Sequence, residues 1–525
     1  MDEIASIAHQ LAAALSSGPA QTCSMHAVVT ANGQQTQILD AAGRRVRLGM
    51  SHAVPSLLTR FRSRAGAAGA FCLELAVTGS GEYTATYSTD LPSLPPRVVL
   101  DESYRYPNDP APGMDRPDAA VNDGRPTDPA VLAEVQALVD EFRREHLRLH
   151  GTAPVLPAGY AEEEILAAEA RLGARLPEDL RALYRVVHDD LYESHLLGRF
   201  RLVPLESVLE WHNPHDAGFH GFGRTGLFED DPVVFESHPH GRVRRLSRND
   251  WWVTFALDIG MNFATVDLDP APAGAYGQVL LYGRDVHGPA EYVAPSVGHL
   301  LRASVAYLRA ARPGDVWDPD DHPTADHDWL VDVGDANLAY EVAAHPDAQA
   351  IQKVHLRKVD RVRLTHLAGF PHLRSIRALD VRGQAGHVDL SLTPGQPVEQ
   401  IDVIAAHFEP RLLTSAPTIQ YVKLGGNSEP VSIAALAGLP ELLQLDLAAA
   451  EVTDVASITG FPALRVLILN ARQWDELLAT GWTPHKLAAV GLDGPTGVAQ
   501  AVAWANTVQG PEQPARGIHT IRGRL

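Results

Sequence analysis

A chain of 525 residues is several times the usual domain length, so two to four separately cored domains are expected. Hydrophobic residues make up 45% and charged residues 21%, and no run approaches the roughly 18 consecutive apolar residues a membrane-spanning helix needs, which argues against membrane insertion. The formal net charge of −20 opposes direct binding to nucleic-acid backbones; an acidic surface would attract a basic protein partner, set against the acidity that many cytoplasmic proteins carry merely for solubility.

The opening Met1-Asp2-Glu3 runs into an amphipathic stretch without a basic n-region, so no secretory signal is predicted and a cytoplasmic location is expected. Ile4, Ile7, Ala8, Leu11 and Leu15 stand at helical spacing. Strand-like pieces follow at His26–Thr30, Thr36–Asp40 and Arg44–Leu48, separated by the turn signals Asn32-Gly33 and Ala42-Gly43. Cys23 and Cys72 are too few for a disulfide framework or a four-ligand zinc site. A second helix carries Val54, Leu57, Leu58 and Phe61, and Phe71–Val77 and Glu82–Tyr87 flank the turn Gly79-Ser80-Gly81. This is a small α+β domain over 1–107, closed by the cluster Tyr104-Arg105-Tyr106-Pro107, which is expected to cap a sheet.

Residues 108–129 are rich in Pro, Asp and Gly and read as an extended linker. A helix with Val131, Val135, Leu138, Val139, Phe142 and Leu147 on one side opens the next domain, 130–312. Glu162 to Glu164 sit favourably at a helix start, Leu172-Gly173 ends that helix, and Pro177 takes an early position in the next, whose apolar face is Leu180, Leu183, Tyr184 and Val187. Strands are predicted at Trp251–Ala256, Phe263–Leu268 and Gly277–Tyr282.

Several blocks in this order carry a likeness: Glu169, Leu172, Gly173, Leu176, Pro177, Leu183 and Tyr184; then Trp252, Phe255, Ala256, Asp258 and Asn262; then Asp267, Asp269, Gly277 and Gln278; then Val293-Ala294-Pro295-Ser296 with Leu300-Leu301. The arrangement resembles the SUKH superfamily, which includes bacterial toxin-immunity proteins and fungal cell-wall synthesis regulators. Asp190 departs from the small Gly expected there at a helix-ending turn. The resemblance implies a binding domain that acts by contact. On it, Asp189, Asp190 and Glu193 with Asp267 and Asp269 offer charge to a basic surface, set against their ordinary use as turn and cap residues. Trp251 or Trp252, whichever faces outward, is the candidate anchor, with the other in the core.

Residues 313–353 read as a linker or repeat cap; the Asp318–Asp328 tract, DPDDHPTADHD, is expected to be solvated rather than metal-binding. From 354 to 525 a pattern L-x-x-L-x-L recurs, as Ile376/Leu379/Val381, Val398/Ile401/Val403, Ile419/Val422/Leu424, Leu442/Leu445/Leu447, Leu464/Leu467/Leu469 and Leu487/Val490/Leu492. Starts 22, 21, 23, 22 and 23 residues apart fall within the period of leucine-rich repeats, so a C-terminal leucine-rich repeat solenoid is expected. Only Asn427 occupies the usual post-strand Asn position. Tyr421, Lys423, Gln444, Asp446, Val466 and Ile468 flank the strand leucines and form the expected second contact face, unless the repeats serve only to shield the central domain.

No Gly-rich phosphate loop, dinucleotide fingerprint or His-Glu-x-x-His helix is present, so neither cofactor nor metal is expected. His238-Pro239-His240 with Arg242, Arg244 and Arg245 is a local basic island, expected as an exposed loop. Together these readings give an α+β multidomain chain that is not an enzyme but binds a protein partner. The leading expectation is an immunity protein neutralising a polymorphic-type toxin by direct occlusion. The alternatives are an intracellular scaffold or regulator of cell-wall or signalling assembly, and an unrecognised hydrolase.

Overall fold

Ile4, Ile7, Ala8 and Leu11 are fully buried on one side of α1 (Glu3–Ser16), as are Val54 and Leu58 on α2 (Ala53–Arg64). Both helices share a core with the antiparallel strands β1 (Thr22–Val29), β2 (Gln34–Asp40), β3 (Phe71–Thr78) and β4 (Glu82–Ser88), in the order β2-β1-β3-β4. On β3 the buried Cys72 thiol donates to the Leu91 carbonyl at 3.3 Å and is pushed up to about 12, and burial raises Cys23 as well. A short strand, β5 (Arg97–Val99), follows. The computed structural model describes residues 3–16, 22–31, 33–41, 44–46, 52–91, 93–191, 194–212, 227–228, 231–286, 288–312, 329–333, 345–381 and 386–525. These form two compact units, the first made of 1–104, 332–344 and 354–525, the second of 105–331 and 345–353.

The second unit is built on α3 (Pro129–His150), α4 (Glu162–Leu172), α5 (Glu178–Val186), α6 (Leu205–Trp211) and α7 (Val297–Ala310). Asp128 caps α3 by accepting from the Ala130 and Val131 N–H groups, and Gly151, at φ 72°, ends it in the left-handed turn that a Cβ disfavours. The sheet is antiparallel, β10-β9-β8-β7-β6, with β6 (Arg201–Leu202), β7 (Trp252–Leu257), β8 (Phe263–Asp267), β9 (Gln278–Tyr282) and β10 (Glu291–Ala294). Nearly every residue of β7, β8 and β9 is buried, which accounts for their continuous apolar runs. The stretch expected as a free linker is bound to this unit. Ala120 is in the core, the Asp250 carboxylate accepts from the Gly113 and Met114 N–H groups at 2.7 Å each, and Trp251 Nε1 donates to the Asp115 carbonyl at 2.8 Å. Tyr106 is buried with its hydroxyl on the Leu227 carbonyl.

The C-terminal part returns to the first unit. Its strands are β11 (Leu330–Val333), β12 (Lys353–Val359), β13 (Arg361–Arg363), β14 (Ser375–Val381), β15 (His387–Asp389), β16 (Gln400–Ile404), β17 (His407–Phe408), β18 (Tyr421–Gly425), β19 (Gln444–Asp446), β20 (Val466–Asn470), β21 (Ala489–Asp493) and β22 (His519–Arg524). Helices α8 (Ala471–Ala479) and α9 (Val498–Gln509) follow β20 and β21. Neighbours from β14 to β21 run parallel in a nine-stranded sheet ordered β11-β12-β14-β16-β18-β19-β20-β21-β5, while β13, β15 and β17 form a small second sheet. The first repeat copy needs correction. Ile376 pairs with Ile401 and Ala378 with Val403, so Leu373, Ile376 and Ala378 are the buried set, whereas Leu379 is 42% exposed. Ile351, Val354 and Leu356 are buried in the same manner around β12, ahead of the first copy recognised from spacing. Asn427 bonds the Glu451 N–H and carbonyl, and Asn470, which the spacing did not single out, reaches the Ala448 carbonyl.

The expected separation of 1–107 from 354–525 also differs from what is observed, because each end completes the other's sheet. β22 pairs antiparallel with β4, and β5 pairs antiparallel with β21.

Candidate functional site

The helical elbow of the second unit is held by charge. Arg181 is fully buried, bridges Glu169, itself fully buried, and reaches Glu162 at 2.7 Å; Glu169 also accepts from the Leu176 N–H at 2.8 Å. Gly173, at φ 74°, ends α4. At Gly277 a Cβ would lie 2.7 Å from Pro177, so this glycine lets β9 close onto the elbow. Glu169, Gly173, Pro177 and Gly277 thus build the framework rather than a chemical site.

Neither tryptophan faces outward as expected of one of them. Trp251 is 8% exposed with its indole N–H on Asp115, and Trp252 is 3% exposed against Val243 and Leu280. Trp252 lines a cavity of about 200 Å³ with Phe235, Tyr282 and Val286. The carboxylates are likewise committed internally. Asp189 holds the His188 ring at 2.6 Å and the Leu191 N–H at 3.0 Å. Asp190 accepts from the Ser194 and Leu196 N–H groups and is not among the described residues with positive φ, so no glycine is needed there. Asp267 accepts from Gln278 Nε2 and the Asp269 N–H, and Asp269 pairs with Arg244 at 2.9 Å and with Asn249. Burial raises both Asp190 and Asp267 to about 6, their N–H donors pulling back only in part. Five charges chosen for a partner therefore include four described ones that brace loops, while Glu193 lies outside the described residues.

The basic island is also tied down. Arg242 stacks over Tyr292, Arg245 donates to the Val234 carbonyl at 2.6 Å, and His240 contacts Glu236 and the Gln349 carbonyl. His188 stacks on Tyr160, whose hydroxyl donates to Glu206 at 2.6 Å and accepts from the Leu205 N–H. Among the described residues no group of three His, Cys, Asp or Glu is placed to hold a metal ion, and the Asp318–Asp328 tract lies outside them.

In the first unit the expected contact residues fall in two rows across the parallel strands. One row is Ser375, Gln400, Tyr421, Gln444 and Val466; the other is Arg377, Asp402, Lys423, Asp446 and Ile468. The second row alternates in sign. Arg377 pairs with Asp402 at 3.0 Å and Lys423 with Asp446 at 3.3 Å, because adjacent strands bring neighbours in a row within reach. Tyr421, Val466 and Ile468 are buried, as is Asp446, whose pKa burial raises against the pull of Lys423; Lys423 keeps a third of its side chain exposed. The row completes its charges within itself, so of the six only Lys423 is open to solvent to an appreciable degree.

Residues 159–303 match the SMI1/KNR4 family (SUKH-1). The SUKH-1 domain lies wholly within the second unit and contains the elbow and the five-stranded sheet. A curated relative, the "Cell wall biosynthesis/cell cycle regulator smi1" of Schizosaccharomyces pombe, is 43% identical over 49 residues, 9% of this chain and 10% of that protein's length. A solved structure described as "Crystal structure of mouse RP105/MD-1 complex" aligns over 28% of this chain and 32% of its own, at 14% identity and a TM-score of 0.19. No described helix is long and apolar enough to cross a membrane. Sequence reasoning missed Ile259 and Met261, exposed at the turn that follows β7 in the SUKH-1 domain. The available signal was an Ile-Gly-Met in a turn, where Asn, Asp and Gly are usual.

Proposed function

We propose that this protein acts by protein–protein contact without catalysis, as an immunity protein that occludes a toxin domain. The observation that carries the reading is the SUKH-1 match over 159–303, joined to a site chemistry in which the described carboxylates and the His188–Asp189 pair serve internal bonds. The acidic balance of −20 supports a basic partner. A second reading, a regulator or scaffold of cell-wall assembly, is supported about equally, by the short likeness to the fission-yeast regulator. The parallel strands spaced by 21 to 25 residues suit a leucine-rich repeat solenoid that widens the contact surface in either reading.

Co-expression separates the readings. Toxin-type nuclease, deaminase and ADP-ribosyltransferase domains are each expressed in a sensitive host with and without the full chain, and binding is followed by calorimetry. Restored growth with a one-to-one complex of nanomolar affinity supports immunity. Growth arrest that the chain does not relieve, with cell-wall defects on deleting its gene, turns the reading to a regulator.

A further inference from the structure

Three loops meet at one end of the SUKH-1 sheet. Arg201, at the start of β6, pairs with Leu257 at the end of β7, and Phe263, opening β8, pairs with Tyr282, closing β9. The loop leading into β6, the turn Asp258–Asn262 and the loop from Gly283 to Val286 therefore share that end. Of three described non-glycine residues with positive φ, two are here, His195 at 60° and Met261 at 63°. Such a conformation opposes a Cβ and persists only where its surroundings enforce it.

The enforcing groups are visible around the turn. Asp258 accepts the Asn262 N–H at 2.8 Å and its Nδ2 at 2.9 Å, while Asn262 Oδ1 accepts the Asp285 N–H at 2.9 Å, tying the turn to the neighbouring loop. Two glycines make room. A Cβ on Gly260 would lie 2.8 Å from Asp285 Oδ2 and 2.9 Å from Asn262 Nδ2, and one on Gly283 would lie 2.7 Å from the Asn262 Cα. What this clamp presents is apolar. Ile259 is 93% exposed, more than any other large hydrophobic side chain among the described residues, and Met261 is 51% exposed. Leu191, also 51% exposed, lies in the loop leading into β6.

We propose that this end of the sheet is the partner-docking surface, with Ile259 and Met261 entering an apolar pocket on a protein whose surrounding surface is basic. The folded chain gains nothing from leaving Ile259 in water, so its burial is left to a partner. The clamp fixes both anchors in advance and spares the complex the entropy of ordering a loop. Acidic residues outnumber basic ones across 105–331, which favours a partner whose wider surface is basic, while the tip itself is locally neutral because its exposed Arg284 and Asp285 pair at 3.2 Å. This inference rests on the protein-binding reading above and assigns its surface.

The test uses the full-length chain in its own cells, with a photo-crosslinking residue in place of Ile259 or, as control, in place of Leu147, half exposed on α3. The crosslinked protein is identified by mass spectrometry, purified and titrated against wild type and the variants Ile259→Asp, Ile259→Ala, Met261→Gly and Leu147→Asp. One identified protein crosslinked at 259 and not at 147 supports the proposal. It would then bind Ile259→Asp about 10- to 100-fold more weakly, as expected for losing one fully buried aliphatic anchor, and Leu147→Asp as tightly as wild type. Met261→Gly is expected to weaken binding without lowering the melting temperature, a pattern that a merely structural turn does not give. A partner that crosslinks elsewhere and binds Ile259→Asp within twofold of wild type overturns the docking surface and leaves the protein-binding reading intact. Failure to recover any partner from either position, together with no complex in the co-expression assay, overturns both.

Discussion

Asp190 and Asp267 are buried carboxylates held by N–H donors, and among the described residues neither takes part in an ion pair of its own. Their folded pKa values near 6 stand above the unfolded value near 3.9, so the folded state holds protons that the unfolded state releases. Stability from these two groups is therefore lowest at pH 7 and above, and it increases as pH falls through 6 toward 4. Each group contributes at most about 3 kcal/mol over that range, since one unit corresponds to roughly 1.4 kcal/mol. Urea unfolding from pH 7.5 to 5 is expected to show a rising midpoint, and Asp267→Asn to remove about half of the rise; a midpoint that falls steadily over this range would contradict the assignment. Arg181 poses the opposite case. Its removal strands the fully buried Glu169, and Arg181→Ala is expected to cost about 3–5 kcal/mol in chemical denaturation, while the pair Arg181→Met with Glu169→Gln costs far less.

At the scale of elements, what the sequence declared was whatever repeats locally. The helix α5 follows from Leu180, Leu183 and Tyr184 on one face, and β7 to β9 from continuous apolar runs bounded by turns, because helix and strand periods are written in adjacent residues. The repeat frame failed where two frames fit the same letters. Ile376, Leu379 and Val381 satisfy the pattern as well as Leu373, Ile376 and Ala378 do, and only the pairing of Ile376 with Ile401 decides between them. The contact residues failed for a related reason. Side-chain type alone points to tryptophans and carboxylates, whereas the burial that turns Trp252 and Asp267 inward comes from packing between distant segments. Where distant segments touch at a glycine, the contact can be tested. Gly277→Ala puts a Cβ at positive φ and 2.7 Å from Pro177, and thermal melting of the full chain is expected to show a loss of about 2 kcal/mol or more. Gly124→Ala shares the positive φ but has nothing within 4 Å, and should lose only about 1 kcal/mol.

For the molecule as a whole, the consequential pairings are between strands hundreds of residues apart. β5 has three residues and β22 is largely exposed, so neither carries a periodic signal, yet β5 adds an edge to β21 and β22 an edge to β4. Further ties run between the same parts: Glu74 accepts the Val498 N–H at 2.9 Å at the start of α9, and Arg97 donates to the Leu492 carbonyl at 3.1 Å. Loss of the last strand would leave β4 as an unpaired edge, and such edges both exchange their amide protons and invite pairing with other chains. A chain ending at Gly517 is therefore expected to lose hydrogen-exchange protection at Tyr83 and Ala85, which occupy hydrogen-bonded positions opposite Gly523 and Ile521 in the β4–β22 pair, while β7 and β8 stay protected. A second truncation, after Asp493, also removes α9 and the Glu74 contact and should lower the melting temperature of the first unit further. Unchanged protection of β4 in both would mean that residues 1–104 hold their sheet alone, and that the C-terminal strand is an ornament on a domain already complete.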